Sequence, residues 1–147
     1  MKRRLLDFCW AYVNQNAQRL RGRGAELNES LLSEDKNSTG DKHETGRAML
    51  HLEQEKLSGQ LLEVENTRNA LKKIDIVPRG ETIGMGSLVR TETARYFLSI
   101  SAGSHKEGEV VVYCISGASP MAQLLLGKRV GDVFEFNGQS HTILEVL

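Results

Sequence analysis

The residues best placed to do chemistry are two carboxylates, Asp41 and Glu44, in the stretch Gly40-Asp41-Lys42-His43-Glu44. Three positions apart at the start of a helix, they would share one side of it and present hard oxygen donors together. The same spacing is also a capping arrangement, in which the side chains satisfy the first backbone N–H groups of the helix. Both uses are open at this level, although a carboxylate tied up as a cap has less freedom to bind anything else. The histidines add no second constellation. His43 stands alone as a solvent residue, and His51, His105 and His141 form no metal-ligand spacing with one another or with either cysteine. Cys9 and Cys114 fall in different expected domains with no paired spacing, which predicts reduced, buried thiols.

The carboxylate pair lies where two apolar seams mirror each other. Leu6, Val13, Leu20 and Leu27 repeat every seventh position, and so do Leu50, Leu57, Val64 and Leu71. A sustained heptad marks helices lying along one another. Pairing Leu6 with Leu71, Val13 with Val64, Leu20 with Leu57 and Leu27 with Leu50 gives every pair one midpoint, between Ser38 and Thr39. The arms must therefore run antiparallel, and at 1.5 Å per residue each would be about 50 Å long. The first helix is expected from Lys2 or Arg3 to the mid-thirties, and the second from Asp41 to Ile74 or Asp75. Gly22 and Gly24 are poor helix residues and predict a kink or a weak stretch. The early part of the first helix carries Leu5, Leu6, Phe8, Cys9, Trp10, Tyr12 and Val13. That is more apolar surface than a two-helix seam uses, so a further element should pack against its base.

Pro78 and Gly80 end the helical pattern and mark a linker over 76–84, between a hairpin domain at 1–75 and a second domain at 85–147. Beyond it the period becomes alternating, predicting strands near 87–90, 96–100, 110–115, 133–136 and 142–146. Asn137-Gly138 joins the last two as a tight hairpin. A short helix over 120–126 opens with Ser119 as N-cap and Pro120 at its first position, and Gly127 closes it. The fold class expected is α+β: an antiparallel helical hairpin, then a small antiparallel sheet with one short helix.

Composition suits that plan. The chain has 147 residues, 39% hydrophobic, 26% charged and 5% aromatic, with no net charge, which excludes bulk attraction to nucleic acid. Charge is nonetheless segregated: basic residues dominate up to Ala25, including Arg19, Arg21 and Arg23, and acidic residues dominate from Glu26 to Glu44. Solvated helix faces would explain both. No apolar run approaches a membrane span. The Met-Lys-Arg-Arg-Leu-Leu start imitates a secretion signal, but Asp7 interrupts it and 14–18 offers no cleavage site, so a cytoplasmic location is expected. A hairpin that satisfies its own seam predicts a monomer.

The run Ile115-Ser116-Gly117-Ala118-Ser119-Pro120-Met121-Ala122-Gln123-Leu124-Leu125-Leu126-Gly127-Lys128-Arg129-Val130-Gly131-Asp132 resembles the C-terminal domain of the bacterial Gre transcript-cleavage factors. In that family an Ile-Ser strand end leads to Ser-Pro, a short apolar helix, Leu-Gly-Lys and Val-Gly-Asp. The likeness covers roughly residues 83–147 and implies an FKBP-like fold there. The Gre factors also carry a long antiparallel coiled coil with Gly-Asp-x-x-Glu at its tip, matched here by Gly40, Asp41 and Glu44. After the tip, Thr45-Gly46-Arg47-Ala48-Met49 departs from that family's usual Asn, Ala and Tyr, and 33–39 is also unlike its loop.

The resemblance implies a transcription elongation factor that inserts its coiled coil through the secondary channel of RNA polymerase. Asp41 and Glu44 would help hold a magnesium ion shared with the polymerase active site, where hydrolysis shortens the backtracked nascent RNA. The protein alone would not be an enzyme and would carry no cofactor of its own. Ser119, Pro120 and Met121 would grip the polymerase, with capping of the short helix as the structural alternative for Ser119. Arg19, Arg21, Arg23, Lys42 and Arg47 would contact RNA or polymerase, with solvation as their alternative. Two other functions stay open: a regulator that occupies the channel without promoting cleavage, and a coiled-coil adaptor for another partner. The FKBP-like fold alone is no warrant for prolyl isomerase activity.

Overall fold

In a computed structural model, residues 1–36, 41–78 and 80–147 are described, with the side chains of all of these except 35, 36 and 41–44. Two long helices come first, α1 (Lys2–Lys36) and α2 (Asp41–Lys72), followed by strands β1 (Leu88–Thr91), β2 (Arg95–Ser99), β3 (Gly103–Glu107) and β4 (Val110–Ser116). A short helix α3 (Pro120–Leu125) and strands β5 (Val133–Phe136) and β6 (Gln139–Val146) complete the chain. By contact the chain divides into two units, Val13–Thr67 and, together, Met1–Tyr12 with Arg68–Leu147.

The unit Val13–Thr67 is an antiparallel helix pair. Leu20 and Leu27 of α1 cluster with Leu57 of α2, and Leu50, Leu61 and Val64 flank them. The pairs Leu20–Leu57 and Leu27–Leu50 expected from the heptads thus share one apolar cluster. Gln54 Nε2 donates to Asn28 Oδ1 at 3.2 Å across the same seam. The kink expected at Gly22 and Gly24 does not occur, and α1 runs unbroken through both. Gly24 is instead a seam residue: a Cβ there would lie 3.4 Å from Leu57 Cδ2, in ordinary van der Waals contact.

In the other unit a six-stranded sheet has the order β3-β4-β2-β1-β6-β5. It is mixed, which corrects the expectation of a wholly antiparallel sheet. Four pairings are antiparallel, but β2 and β4 run parallel, with Phe97 opposite Cys114 and Ser99 opposite Ser116. The cause is β3, which the alternating pattern did not reveal because Gly-Ser-His-Lys-Glu carries no large apolar residue. The chain leaves β2, runs out along the edge as β3 and returns as β4 between the two. Two reversals restore the direction of β2. Strand β6 begins three residues earlier than expected. Asn137 and Gly138 both take positive φ, 53° and 77°, which makes a two-residue turn that pairs Phe136 directly with Gln139.

Side chains alternate across this sheet. One face brings Val89, Leu98, Phe134 and Ile143 against Met121, Ala122 and Leu125 of α3, with Ile83 from the linker in the same core. Ile83 is pinned there by backbone bonds to Lys128 and Gly127 at 2.8 and 2.9 Å. The other face presents Leu88, Phe97, Ser99, Val112 and Cys114, all buried. The start of α1 covers it: Leu5 and Cys9 are fully buried, the Phe8 ring lies 4.8 Å from that of His105, and Arg4 Nε donates to Glu107 at 2.6 Å. This is the packing that the surplus of apolar residues at the base of α1 predicted. Leu5, rather than the expected Leu6, is the fully buried residue, and Leu6 is half-buried. Helix α2 stops at Lys72, two residues early, in a tightened turn where Lys73 and Ile74 donate to carbonyls three residues back. Just beyond, Gly86 has φ 90°, and any Cβ would sit 2.1 Å from the Asp75 carbonyl oxygen. Only glycine fits there.

Candidate functional site

The end of α1 at Lys36 and the start of α2 at Asp41 leave residues 37–40 between the helices, which brackets the midpoint expected from the heptads. Asp41 is therefore the first residue of α2 and Glu44 lies in its first turn. The side chains of Asp41, Lys42, His43 and Glu44 lie outside the described residues, as does Gly40. The nearest described geometry is on the following turn. Gly46 of α2 faces Glu34 of α1, whose Oε1 would lie 3.1 Å from a Cβ at position 46. The missing side chain makes room for a third carboxylate between the helices. Glu34, Thr45 and Arg47 each have an interaction partner, so Arg47 is not a free cation.

Along the shaft the three arginines separate. Arg19 and Arg21 are exposed. Arg23 is half-exposed and ion-paired with Glu26 at 3.1 Å and with Glu53 across the hairpin. The hydrogen bond to Glu26, then that to Glu53, raises its already high pKa. Its fork ties α1 to α2, a use that the charge pattern alone did not reveal.

At the short helix the residues divide again. Ser119 has extended backbone (φ −67°, ψ 150°), and its Oγ accepts from the Ala122 N–H at 3.2 Å, so it caps α3. Pro120 follows at the first helical position and is exposed. Met121 is 9% exposed and belongs to the core beneath. This corrects its assignment as a contact residue, because the helix has only one solvent side and Met121 is turned inward with Ala122 and Leu125. The side chains left outward are Pro120 and Gln123.

Sequence reasoning missed two clusters on the sheet face under α1. In the first, Glu107 accepts from Arg4 and lies 3.2 Å from His105 Nε2. The Arg4 hydrogen bond, helped by His105, holds the Glu107 carboxyl below the usual carboxylate range. In the second, Cys9 Sγ is 3.4 Å from Ser99 Oγ, and Cys114, opposite Phe97 on the neighbouring strand, is buried on the same face. Linear spacing gave no signal for either, since both join α1 to strands near or beyond the hundredth residue. Among the described residues no group of three or more His, Cys, Asp or Glu side chains could hold a metal ion. No described helix is long and apolar enough to cross a membrane.

No protein-family model and no curated sequence matches the chain. Among solved structures it is similar to GreA factor homolog 1 (Gfh1) of Thermus thermophilus, at 25% identity over 92% of each chain with a TM-score of 0.36. It is also similar to a structure of the transcription factor Gfh1, at 24% identity over 91% of this chain and 90% of that one, with a TM-score of 0.35.

Proposed function

We propose that this chain is a Gre-like transcription elongation factor that binds RNA polymerase, enters its secondary channel and stimulates cleavage of backtracked RNA. The observation that carries the reading is the coincidence of three features. Helix α2 begins at Asp41, Glu44 follows in its first turn, and the Ser119-Pro120 motif opens a capped helix on a sheet domain. The unit Val13–Thr67 is a single pair of helices, each about 10–12 Å across, which suits entry into a channel. Asp41 and Glu44 are hard oxygen donors of the kind magnesium takes. Two carboxylates do not fill its coordination shell, so the polymerase would supply the other ligands. A magnesium ion held by Asp41 and Glu44 together with polymerase ligands would supply Lewis-acid polarisation of water and phosphate. The part of this chain is to deliver and orient the two carboxylates, while Arg19 and Arg21 face phosphate or channel wall. Arg23, engaged within the hairpin, is left out of that set.

A second reading, a regulator that occupies the channel without promoting cleavage, is favoured by the departures at Thr45-Gly46-Arg47 and by Glu34 opposite Gly46. The deciding experiment adds the protein to backtracked RNA polymerase complexes and follows both binding and RNA length. Shortening that is lost in Asp41→Asn with Glu44→Gln, while binding persists, supports the first reading. Binding with no shortening by wild type establishes the second. No binding to polymerase sinks both.

A further inference from the structure

On the face of the sheet away from α3, two arginines stand side by side without a counter-ion. Arg90 of β1 is directly opposite Arg95 of β2. Thr91 N–H donates to the Ala94 carbonyl at 2.9 Å, and Leu98 N–H to the Ser87 carbonyl at 3.1 Å. The alternation of an antiparallel ladder then makes Arg90 and Arg95 a non-hydrogen-bonded pair, the closer class, with Cα atoms about 4.5 Å apart. Like charges so placed destabilise a hairpin. Both residues are half-buried, and among the described residues neither side chain has a hydrogen bond or an ion pair. The carboxylates nearby are employed elsewhere. Glu92, at the hairpin turn, accepts the Thr142 N–H with both oxygens, at 2.7 and 3.0 Å, and Glu107 is held by Arg4. Glu145 is opposite Arg90 on β6 and forms no ion pair with it.

We propose that Arg90 and Arg95 form a docking surface for an acidic helix of a partner protein, one that carries two carboxylates a single turn apart. The spacings match. Residues three or four apart on a helix have Cβ atoms about 5–6 Å apart, and directly opposed strand residues have theirs about 4.5–5.5 Å apart. Each guanidinium can then take one carboxylate through two parallel N–H···O bonds, which turns the mutual repulsion of the arginines into attraction for the partner. An added strand is excluded, since β1 lies between β2 and β6, and β2 between β1 and β4. A nucleic-acid backbone follows a track of basic residues, whereas here Glu92 and Glu145 flank the pair. The surface is separate from the Ser119-Pro120 end of α3. Val89, next to Arg90, points into the core under that helix, so Arg90 points to the other side, with Phe97 and Arg95. The proposal therefore stands whether or not the channel reading does.

The test titrates isotope-labelled, full-length protein at low salt with an alanine-based helical peptide bearing glutamates at i and i+4. Backbone and arginine side-chain N–H signals are followed by NMR. Shifts should concentrate at Arg90, Arg95 and their strand neighbours, saturate, and fade as salt is added. The glutamine version of the peptide should bind about tenfold more weakly or worse, the loss expected for charge-assisted hydrogen bonds. Arg90→Gln with Arg95→Gln should weaken binding of the glutamate peptide to the same degree, with its urea midpoint unchanged or raised because a like-charge pair is gone. Should the double variant fail to fold, Arg95→Gln alone carries the same expectation. No shifts at the arginines, equal binding of the two peptides, or a lowered urea midpoint in the folded variants would overturn the proposal. Tighter binding of a single-stranded RNA of equal charge at these arginines would overturn it in favour of nucleic acid. A concentration-dependent rise in mass that the substitutions abolish would overturn it in favour of a second copy of this chain.

Discussion

Glycines of identical chemistry occupy opposite situations in this protein, and substitution should separate them by sign. Gly22 is exposed within α1 with nothing within 4 Å of where a Cβ would be. Alanine there reduces the entropy of the unfolded chain and improves the helix, so Gly22→Ala should stabilise by about 0.4–1 kcal/mol in urea melts. Gly86→Ala should destabilise by more than about 1 kcal/mol, because its Cβ meets the Asp75 carbonyl and its φ is positive. Glu107 yields a pH prediction. Its folded pKa lies below its unfolded value, so its contribution is complete above the ordinary carboxylate range and is lost as pH falls through the lowered value. Melting temperature should drop more steeply on acidification in wild type than in Glu107→Gln; parallel curves would mean that the Arg4 contact contributes nothing. At this scale the sequence was a poor guide. It left Arg23 between a solvated cation and an RNA or polymerase contact, and only folding brought Glu53 to its side.

Elements were legible in proportion to how much apolar pattern they carry. The heptads foretold the hairpin and its register because burial of Leu20, Leu27 and Leu57 determines how the helices meet. Strand β3 was illegible because an edge strand held by backbone bonds to β4 needs no apolar face. With β3 hidden, the parallel pairing of β2 with β4 was hidden too. The candidate tip was legible as a position, the first residue of α2, and the geometry of its carboxylates lies beyond that pattern. Helix α3 shows how one residue can carry two readings. Ser119→Ala removes the acceptor for the Ala122 N–H and should cost about 1 kcal/mol, whereas Ser119→Asp retains a cap. Polymerase binding that falls with Ala and returns with Asp assigns Ser119 to capping. Binding lost with both assigns it to contact. In the hairpin, Leu57→Ala should cost about 2–5 kcal/mol, since Leu57 is 7% exposed and fills the seam opposite Gly24.

The chain has no net charge, and several of its exposed large apolar side chains lie on α2. In α2, Met49, Leu52 and Leu62 are each more than 60% exposed, while the seam is kept by Leu50, Leu57, Leu61 and Val64. An antiparallel hairpin closes its own seam: Leu20, Leu27, Leu50, Leu57 and Val64 already pack within one chain and are not open to a second copy. Sedimentation over a wide concentration range should therefore give a single species at the 16.4 kDa chain mass. Met49→Lys with Leu52→Lys should leave that mass unchanged while preserving helicity. A heavier species that these substitutions dissociate would show that the outer surface of α2 serves self-association. The helix pair would then be an assembly element, and its proposed use as a channel probe would have to compete with its own dimer.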